Sequence, residues 1–221
     1  MKLVLYSGGN GRENKVLVKE ALNLLQGKDM PTITFIPADG EDSAYDFKIF
    51  KSKFRGAKVG KFQCIPIDRK LSAKAIKDLF ASDAIFLGGG NTYYFLKHLR
   101  ENRILPRLRA FVKRGGVLMG LSAGSILMTP SIMTAAVPVV DSDDNEVGLT
   151  NFKALGLVPF EFSPHYYRSK EVDSELMEYS KSLPHPIYAC KDGQGIVVEN
   201  GSIRFVGRVS VFHKGAKYTI Q

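Results

Sequence analysis

Gly115-Gly116-Val117-Leu118-Met119-Gly120-Leu121-Ser122-Ala123-Gly124-Ser125 reads as a short buried strand that runs straight into a sharp turn, with a serine at the apex. Val117 to Met119 is apolar, and Phe111 to Arg114 before it reads as the end of a helix. Gly120-Leu121-Ser122-Ala123-Gly124 fits G-x-S-x-G, in which the serine stands on a strained strand-to-helix turn. The spacing has a steric reason: the turn needs neighbours without bulk two residues to either side of the serine. Its hydroxyl is then presented at a helix N-terminus, whose free N–H groups favour a developing negative charge.

The surrounding chain suits that reading. Its 221 residues, 44% apolar and 24% charged, are those of one globular α/β domain spanning 1–221. No run approaches the ~20 apolar residues needed to cross a bilayer, so no membrane association is expected. Met1 to Ser7 is too short for a signal peptide and reads as a first strand. Cys64 and Cys190 both sit in apolar, strand-like surroundings, which argues against a disulfide framework; a cytoplasmic location is expected. The net charge of +9 would suit an anionic partner, but the lysines are scattered and no nucleic-acid-binding motif stands out. A partial cluster (Lys48, Lys51, Lys53, Arg55, Lys58, Lys61) surrounds a loop or amphipathic helix and reads as a solvated basic face.

Strands are expected at Lys2–Tyr6, Thr32–Pro37, Phe62–Ile67 and Ala84–Leu87, alternating with helices at Val16–Leu25, from the N-cap Ser72 to about Phe80, at Tyr93–Arg100 and at Leu105–Arg114. Such alternation implies a three-layer α/β fold, a mostly parallel sheet with helices on both faces. Active sites in these sheets lie at the carboxyl ends of the strands, where both Gly88-Gly89-Gly90 and the Ser122 turn fall. The last quarter changes to short strands (Ile187–Cys190, Gly195–Glu199, Ser202–Val206, Val209–His213), a C-terminal β-hairpin region in which Asn200-Gly201 is a strong two-residue turn signal.

A serine hydroxyl needs a base to take its proton, and the base needs a partner to hold its tautomer. His98 lies inside a helix pattern, His185 between Pro184 and Pro186 in a turn, and His213 in the last expected strand. His165 follows an apolar strand (Leu157, Val158, Phe160, Phe162) and Ser163-Pro164, where a strand leaves its sheet, and is the candidate base. Asp192, after the strand Pro186 to Cys190 and before Gly193, is the preferred orienting acid. Asp141, Asp143, Asp144 and Glu146 form an acidic turn that reads as a solvated loop and is the alternative source. Acyl transfer also needs oxyanion donors: the N–H of Ala123 is one, and the side-chain-free Gly88–Gly90 turn supplies a second. A phosphate-binding reading of those glycines is weak, because neither G-x-x-x-x-G-K-[ST] nor G-x-G-x-x-G is present.

Phe86-Leu87-Gly88-Gly89-Gly90-Asn91-Thr92, about thirty residues ahead of Gly120-Leu121-Ser122-Ala123-Gly124-Ser125, resembles the peptidase E (α-aspartyl dipeptidase) family and the related cyanophycinases. The resemblance covers most of the chain. It implies a serine peptidase on a class I glutamine amidotransferase-like (flavodoxin-like) fold, with Ser122 as nucleophile, Gly89 or Gly90 with Ala123 as oxyanion donors, His165 as base, and Asn91 and Thr92 at the substrate. The family's third member is a glutamate after a late strand, where this chain has Asp192. The family also carries a Gly-Glu-Thr-Arg-like segment, whose arginine recognises the substrate's aspartate. Here the chain reads Tyr166-Tyr167-Arg168-Ser169-Lys170-Glu171, which leaves Arg168 as the candidate carboxylate reader.

The expected activity is hydrolysis of a small peptide, with Asp-Xaa dipeptides implied by the resemblance. The expected partner is that peptide, not nucleic acid or a membrane, and no cofactor or metal is called for. Two other readings use the same residues: a catalytically silent module that binds an amino acid or nucleotide, and an esterase.

Overall fold

β1 (Lys2–Tyr6) sits in the middle of the molecule because it is apolar on both sides: Leu3, Val4, Leu5 and Tyr6 are all fully buried. The computed structural model describes residues 1–221. From β1 the chain runs through α1 (Lys15–Leu24), β2 (Thr32–Ile36), α2 (Ser43–Lys53), β3 (Lys61–Cys64), α3 (Ala73–Phe80) and β4 (Ala84–Leu87). It continues through α4 (Thr92–Glu101) and α5 (Ile104–Lys113) to β5 (Val117–Leu121) and the single turn α6 (Ala123–Ile126). After β6 (Glu161–Ser163) and α7 (Lys170–Lys181) come β7 (Ile187–Ala189), β8 (Gly195–Glu199), β9 (Ser202–Val206), β10 (Val209–His213) and β11 (Ala216–Ile220).

The main sheet has the order β3-β2-β4-β5-β1-β8-β9, parallel from β3 to β1 and antiparallel at β8 and β9. Alternate residues of each strand feed opposite faces. Leu3, Leu5, Ile85, Leu87 and Leu118 pack with Phe95, Leu99, Leu108 and Phe111 of α4 and α5. On the other face Val4, Tyr6, Phe35, Phe86 and Met119 pack with Leu17, Ala21 and Phe50 of α1 and α2. This is the expected α/β architecture, a mostly parallel sheet covered on both sides.

Several elements refine or depart from the expected pattern. The basic stretch is the helix α2: it buries Phe50 and exposes Lys48 and Lys51, while Lys53 turns inward to 3.4 Å from the Gly9 carbonyl. The strand expected through Leu157 shrinks to Glu161–Ser163, because the N–H groups of Leu155, Gly156 and Leu157 bond to carbonyls of residues 127–129 and Pro159 cannot donate to a ladder. β6 also lies outside the main sheet, in a second sheet ordered β11-β10-β7-β6. The C-terminal hairpin region is therefore split. β8 and β9 extend the main sheet around the turn at Asn200 (φ 50°) and Gly201 (φ 89°), whereas β10 and β11 belong to the small one. β11 follows a tight turn at Lys214 (φ 51°) and Gly215 (φ 78°), and lysine is a much weaker signal for positive φ than asparagine.

Phe50 is the centre of the α2 face, with its ring 4.9 Å from Phe35, 5.0 Å from Phe86 and 5.3 Å from Phe54. Phe50→Ala is expected to cost about 3–5 kcal/mol through lost transfer energy and the cavity it leaves. Urea unfolding of both proteins measures it.

Candidate active site

Ser122 follows β5 directly and has φ 51° and ψ −112°, a backbone geometry that L-residues avoid. The glycines of the motif make it attainable. A Cβ on Gly120 would overlap the Gly124 carbonyl, and a Cβ on Gly124 would overlap the Leu87 carbonyl. The strained residue is tied down by its own N–H, which donates to both the Tyr6 and Ser7 carbonyls at 3.1 Å. Ser125 Oγ lies 2.8 Å from the Tyr6 carbonyl and 2.7 Å from that of Gly120, which locks the turn onto β1. The helix opening at Ala123 is only one turn long, so its dipole is a minor contribution beside these local groups.

His165 arrives from the second sheet, two residues after β6, and also has positive φ (54°). Its N–H donates to Ser7 Oγ at 2.7 Å, and Ser7 Oγ donates to the Cys190 carbonyl at 2.8 Å. His165 Nε2 stands 2.8 Å from Ser122 Oγ, and Nδ1 stands 2.8 Å from Asp192 Oδ1. The carboxylate can only accept, so Nδ1 carries the hydrogen and Nε2 is left to accept from the serine. Asp192 sits in the turn closed by Gln194 N–H to the Lys191 carbonyl, and Gly193 N–H reaches the Gly8 carbonyl at 3.2 Å. The structure thus brings Ser122, His165 and Asp192 into one contiguous line.

The glycine loop after β4 lies beside this line. Gly124 N–H bonds to the Gly88 carbonyl, which leaves the N–H groups of Gly89 and Ala123 without an acceptor in the protein. A Cβ built on Gly89 would stand 3.7 Å from Ser122 Cβ, whereas one on Gly90 would face Ala38. Gly89 is therefore the glycine adjacent to the serine, and Gly90 (φ 131°) makes the turn.

The other expected contacts divide. Thr92 is fully buried and lines a cavity of about 160 Å³ beside Ser122 and His165. Asn91 spends its side chain elsewhere, capping α4 through Tyr94 N–H at 2.9 Å and donating to the Asp144 carbonyl at 2.8 Å. Arg168 does not reach this cavity; it lines a separate cleft with Lys191, Arg208 and Lys217. The acidic turn is not merely solvated: Asp141 and Asp143 line the Ser122 cavity, although neither is the carboxylate that meets His165. His98 pairs with Glu101 at 3.0 Å, and His185 with the buried Glu161 at 3.3 Å. No group of three or more His, Cys, Asp or Glu side chains stands in metal-binding geometry, and no helix is long and apolar enough to cross a membrane.

Three supporting residues were not singled out in the sequence. Ser7 holds the His165 backbone, and Gly8 leaves room for the histidine–aspartate pair, since a Cβ there would overlap both side chains. Asn14 is fully buried and its Nδ2 donates to the carbonyls of Gly8, Gly9 and Asn10, which fixes that loop. Ser7-Gly8-Gly9-Asn10-Gly11 reads in the sequence as a tight turn, but nothing in it announces what the turn supports.

A strained serine at a strand end, with a histidine bonded to its hydroxyl on an α/β sheet, defines an enzyme of the serine-hydrolase class. Residues 3–206 match the family described as Peptidase family S51, and the chain belongs to that family of serine peptidases. It is 27% identical to Peptidase E of Nostoc sp. over 223 residues, covering 96% of this chain and 88% of that one. An uncharacterized peptidase of Listeria monocytogenes is 31% identical over 168 residues, covering 74% of this chain and 80% of the other. Among solved structures, a putative peptidase E protein from Listeria monocytogenes superposes with a TM-score of 0.72 at 22% identity, over 93% of this chain and 97% of that one. A peptidase from an acI-B1 Actinobacterium gives 0.65 at 15%, over 99% and 93%. At those identities the two structures establish the shared fold.

Gly8→Ala is expected to displace the imidazole and slow covalent labelling of Ser122 by a fluorophosphonate about 10²-fold, the scale of an ångström-sized misplacement. An unchanged circular dichroism spectrum would show that the sheet survives. A second expectation concerns Glu161, whose carboxyl is pushed up to about 7 by burial. It binds its proton more tightly folded than unfolded, so stability is lost as pH rises from the ordinary carboxyl range through that value. His185, held below its usual value by burial and by His213, slopes the opposite way. The difference between wild type and Glu161→Gln reports the carboxyl together with its contact to His185. Wild type is expected to lose roughly 2–4 kcal/mol relative to the variant between pH 5 and 8, read from urea unfolding.

Proposed function

We propose that this serine peptidase cleaves small peptides, dipeptides above all, through an acyl-enzyme, with Ser122 as nucleophile, His165 as general base and Asp192 as the orienting acid. The observation that carries the reading is the unbroken line from Asp192 Oδ1 to His165 and on to Ser122 Oγ, 2.8 Å at each step. As Oγ bonds to the substrate carbonyl carbon, its proton passes to His165 Nε2. The carbonyl oxygen takes the negative charge, and the N–H groups of Gly89 and Ala123 stabilise it. His165 then returns the proton to the leaving amine as the C–N bond breaks. A water molecule, deprotonated by the same nitrogen, releases the acid product and restores the serine.

Small substrates are favoured by the size of the adjoining cavity, about 160 Å³. The preference for aspartate implied by the peptidase E resemblance has no cation in that cavity to support it, because Arg168 lines a different cleft. Asp192 is 46% exposed on its side chain, so water screens its charge and its main service is to hold the imidazole tautomer.

A dipeptide library assayed with purified protein tests this. Ser122→Ala is expected to remove hydrolysis by several orders of magnitude. Asp192→Asn is expected to lower kcat about 10²–10³-fold with little change in KM, less than the ~10⁴-fold known for a buried acid in this role. More than a tenth of wild-type activity in Ser122→Ala overturns the nucleophile assignment.

A further inference from the structure

Four cations converge away from the Ser122 cavity. Arg168, Lys191, Arg208 and Lys217 line one cleft of about 430 Å³, within the size range of small-ligand sites. They come from separate elements: Arg168 stands just before α7, Lys191 just after β7, Arg208 just before β10, and Lys217 lies in β11. The one carboxylate lining the same cleft, that of Asp173, is already occupied. Its Oδ2 accepts Lys217 Nζ at 2.6 Å, and its Oδ1 accepts the Tyr166 hydroxyl at 2.7 Å. Arg168, Lys191 and Arg208 form no ion pair in the protein. Unpaired cations held to one cleft repel each other, and an anion seated among them removes that cost. The neutral groups act in the same sense. Ser210 of β10 and Thr219 of β11 are direct cross-strand partners, so both hydroxyls stand on one face of the second sheet at the cleft. Gln194 Oε1 accepts the Lys191 N–H at 2.9 Å, which leaves the Nε2 donors of the same amide for a ligand. Gly207 keeps room for that amide, since a Cβ there would stand 2.8 Å from Gln194 Cγ.

We infer that this cleft binds a small molecule carrying phosphate groups, at a site separate from the peptide. Donors that approach from several elements suit a group with three acceptor oxygens and a charge of about −2 better than a planar carboxylate with two. Two guanidinium groups add the planar fork that phosphate oxygens accept in pairs. The separation follows from the lining, because the cleft and the Ser122 cavity have no residue in common. Lys191 and Gln194, on either side of Asp192, reach the cleft, whereas Ser122 and His165 do not. The ligand therefore lies beyond the Asp192 end of the Ser122–His165–Asp192 line. The site does not depend on Ser122 as nucleophile, and its occupancy is read without turnover.

Calorimetry on the full chain, with pyrophosphate as the probe, measures the binding. A dissociation constant below about 1 mM is expected at roughly 0.15 M ionic strength. The double variant Arg168→Gln/Arg208→Gln is expected to weaken it roughly tenfold or more. Both side chains are exposed and unpaired, so folding is not at stake, which circular dichroism checks. Lys48→Gln/Lys51→Gln removes the same charge from the exposed side of α2 and is expected to change the affinity less than about twofold. Citrate is expected to bind roughly tenfold more weakly than pyrophosphate, because its acceptors are carboxylates. In amide NMR spectra pyrophosphate is expected to shift Gln194, Ser210 and Thr219 and to leave Thr92 and Thr134 unmoved. A dissociation constant above about 1 mM overturns the site. So does an equal loss in the two double variants, since net charge alone then accounts for the binding. Citrate as tight as pyrophosphate overturns the phosphate assignment. Shifts at Thr92 and Thr134 in place of the cleft residues, or displacement of pyrophosphate by Ala-Leu on Ser122→Ala, overturn the separation from the peptide. Failure of Ser122 as nucleophile would leave every one of these readouts intact.

Discussion

The Ser7 hydroxyl joins the two sheets. It is fully buried at the end of β1, donates to the Cys190 carbonyl after β7 and accepts the N–H of His165 after β6. The serine turn hangs from the same strand end, because Ser122 N–H reaches the Tyr6 and Ser7 carbonyls. Ser122 of one sheet and His165 of the other are therefore referenced to one hydroxyl and one strand terminus. Without that hydroxyl the His165 N–H would lack its partner, a penalty of about 1–3 kcal/mol, whereas the Cys190 carbonyl would keep the N–H of Tyr166. The 2.8 Å contact between Ser122 and His165 depends on this joint as much as on either residue.

Around the joint the backbone is held in conformations it would not choose. Ser122 and His165 both have positive φ, and each is fixed by hydrogen bonds from its own N–H. Strain of this kind persists only where neighbouring structure over-determines it. Gly120, Gly124 and Gly8 each contribute by lacking a Cβ where another group must pass, and Asn14 clamps the loop that carries Gly8. The site is rigid because several short-range constraints agree.

The fold and the meeting of Ser122, His165 and Asp192 were legible because they depend on local rules. Buried parallel strands read as apolar runs, G-x-S-x-G announces its turn, and Asn200-Gly201 announces its hairpin. What was not legible depends on which sheet a strand joins. β6 and β7 carry no signal separating them from main-sheet strands, so the second sheet, and the Ser7 bridge that its presence requires, appear only in three dimensions. Arg168 stands away from the Ser122 cavity for a related reason. Three residues beyond His165 in sequence, it lies past the turn at Tyr166, whose N–H bonds back to the Cys190 carbonyl, and opens onto the far cleft. Asp141 and Asp143 read as a solvated turn because proximity to Thr92 spans a sequence separation of about fifty residues.

Charge is the property for which whole-chain and local readings differ most. The basic residues behind the net +9 are scattered, and among them are Lys48 and Lys51 on the exposed side of α2 and Arg168, Lys191, Arg208 and Lys217 in one cleft. The cavity at Ser122 instead carries carboxylates. In water these influences act on different scales. Surface lysines are screened beyond about 10 Å at ordinary ionic strength, whereas a fixed carboxylate within hydrogen-bonding reach of a ligand is screened far less. The basic surface bears on encounter with anionic molecules, and the acidic wall bears on what fits next to Ser122. Carboxylates, not the basic surface, border Ser122, so the sign of the protein's total charge is a poor guide to the character of that cavity.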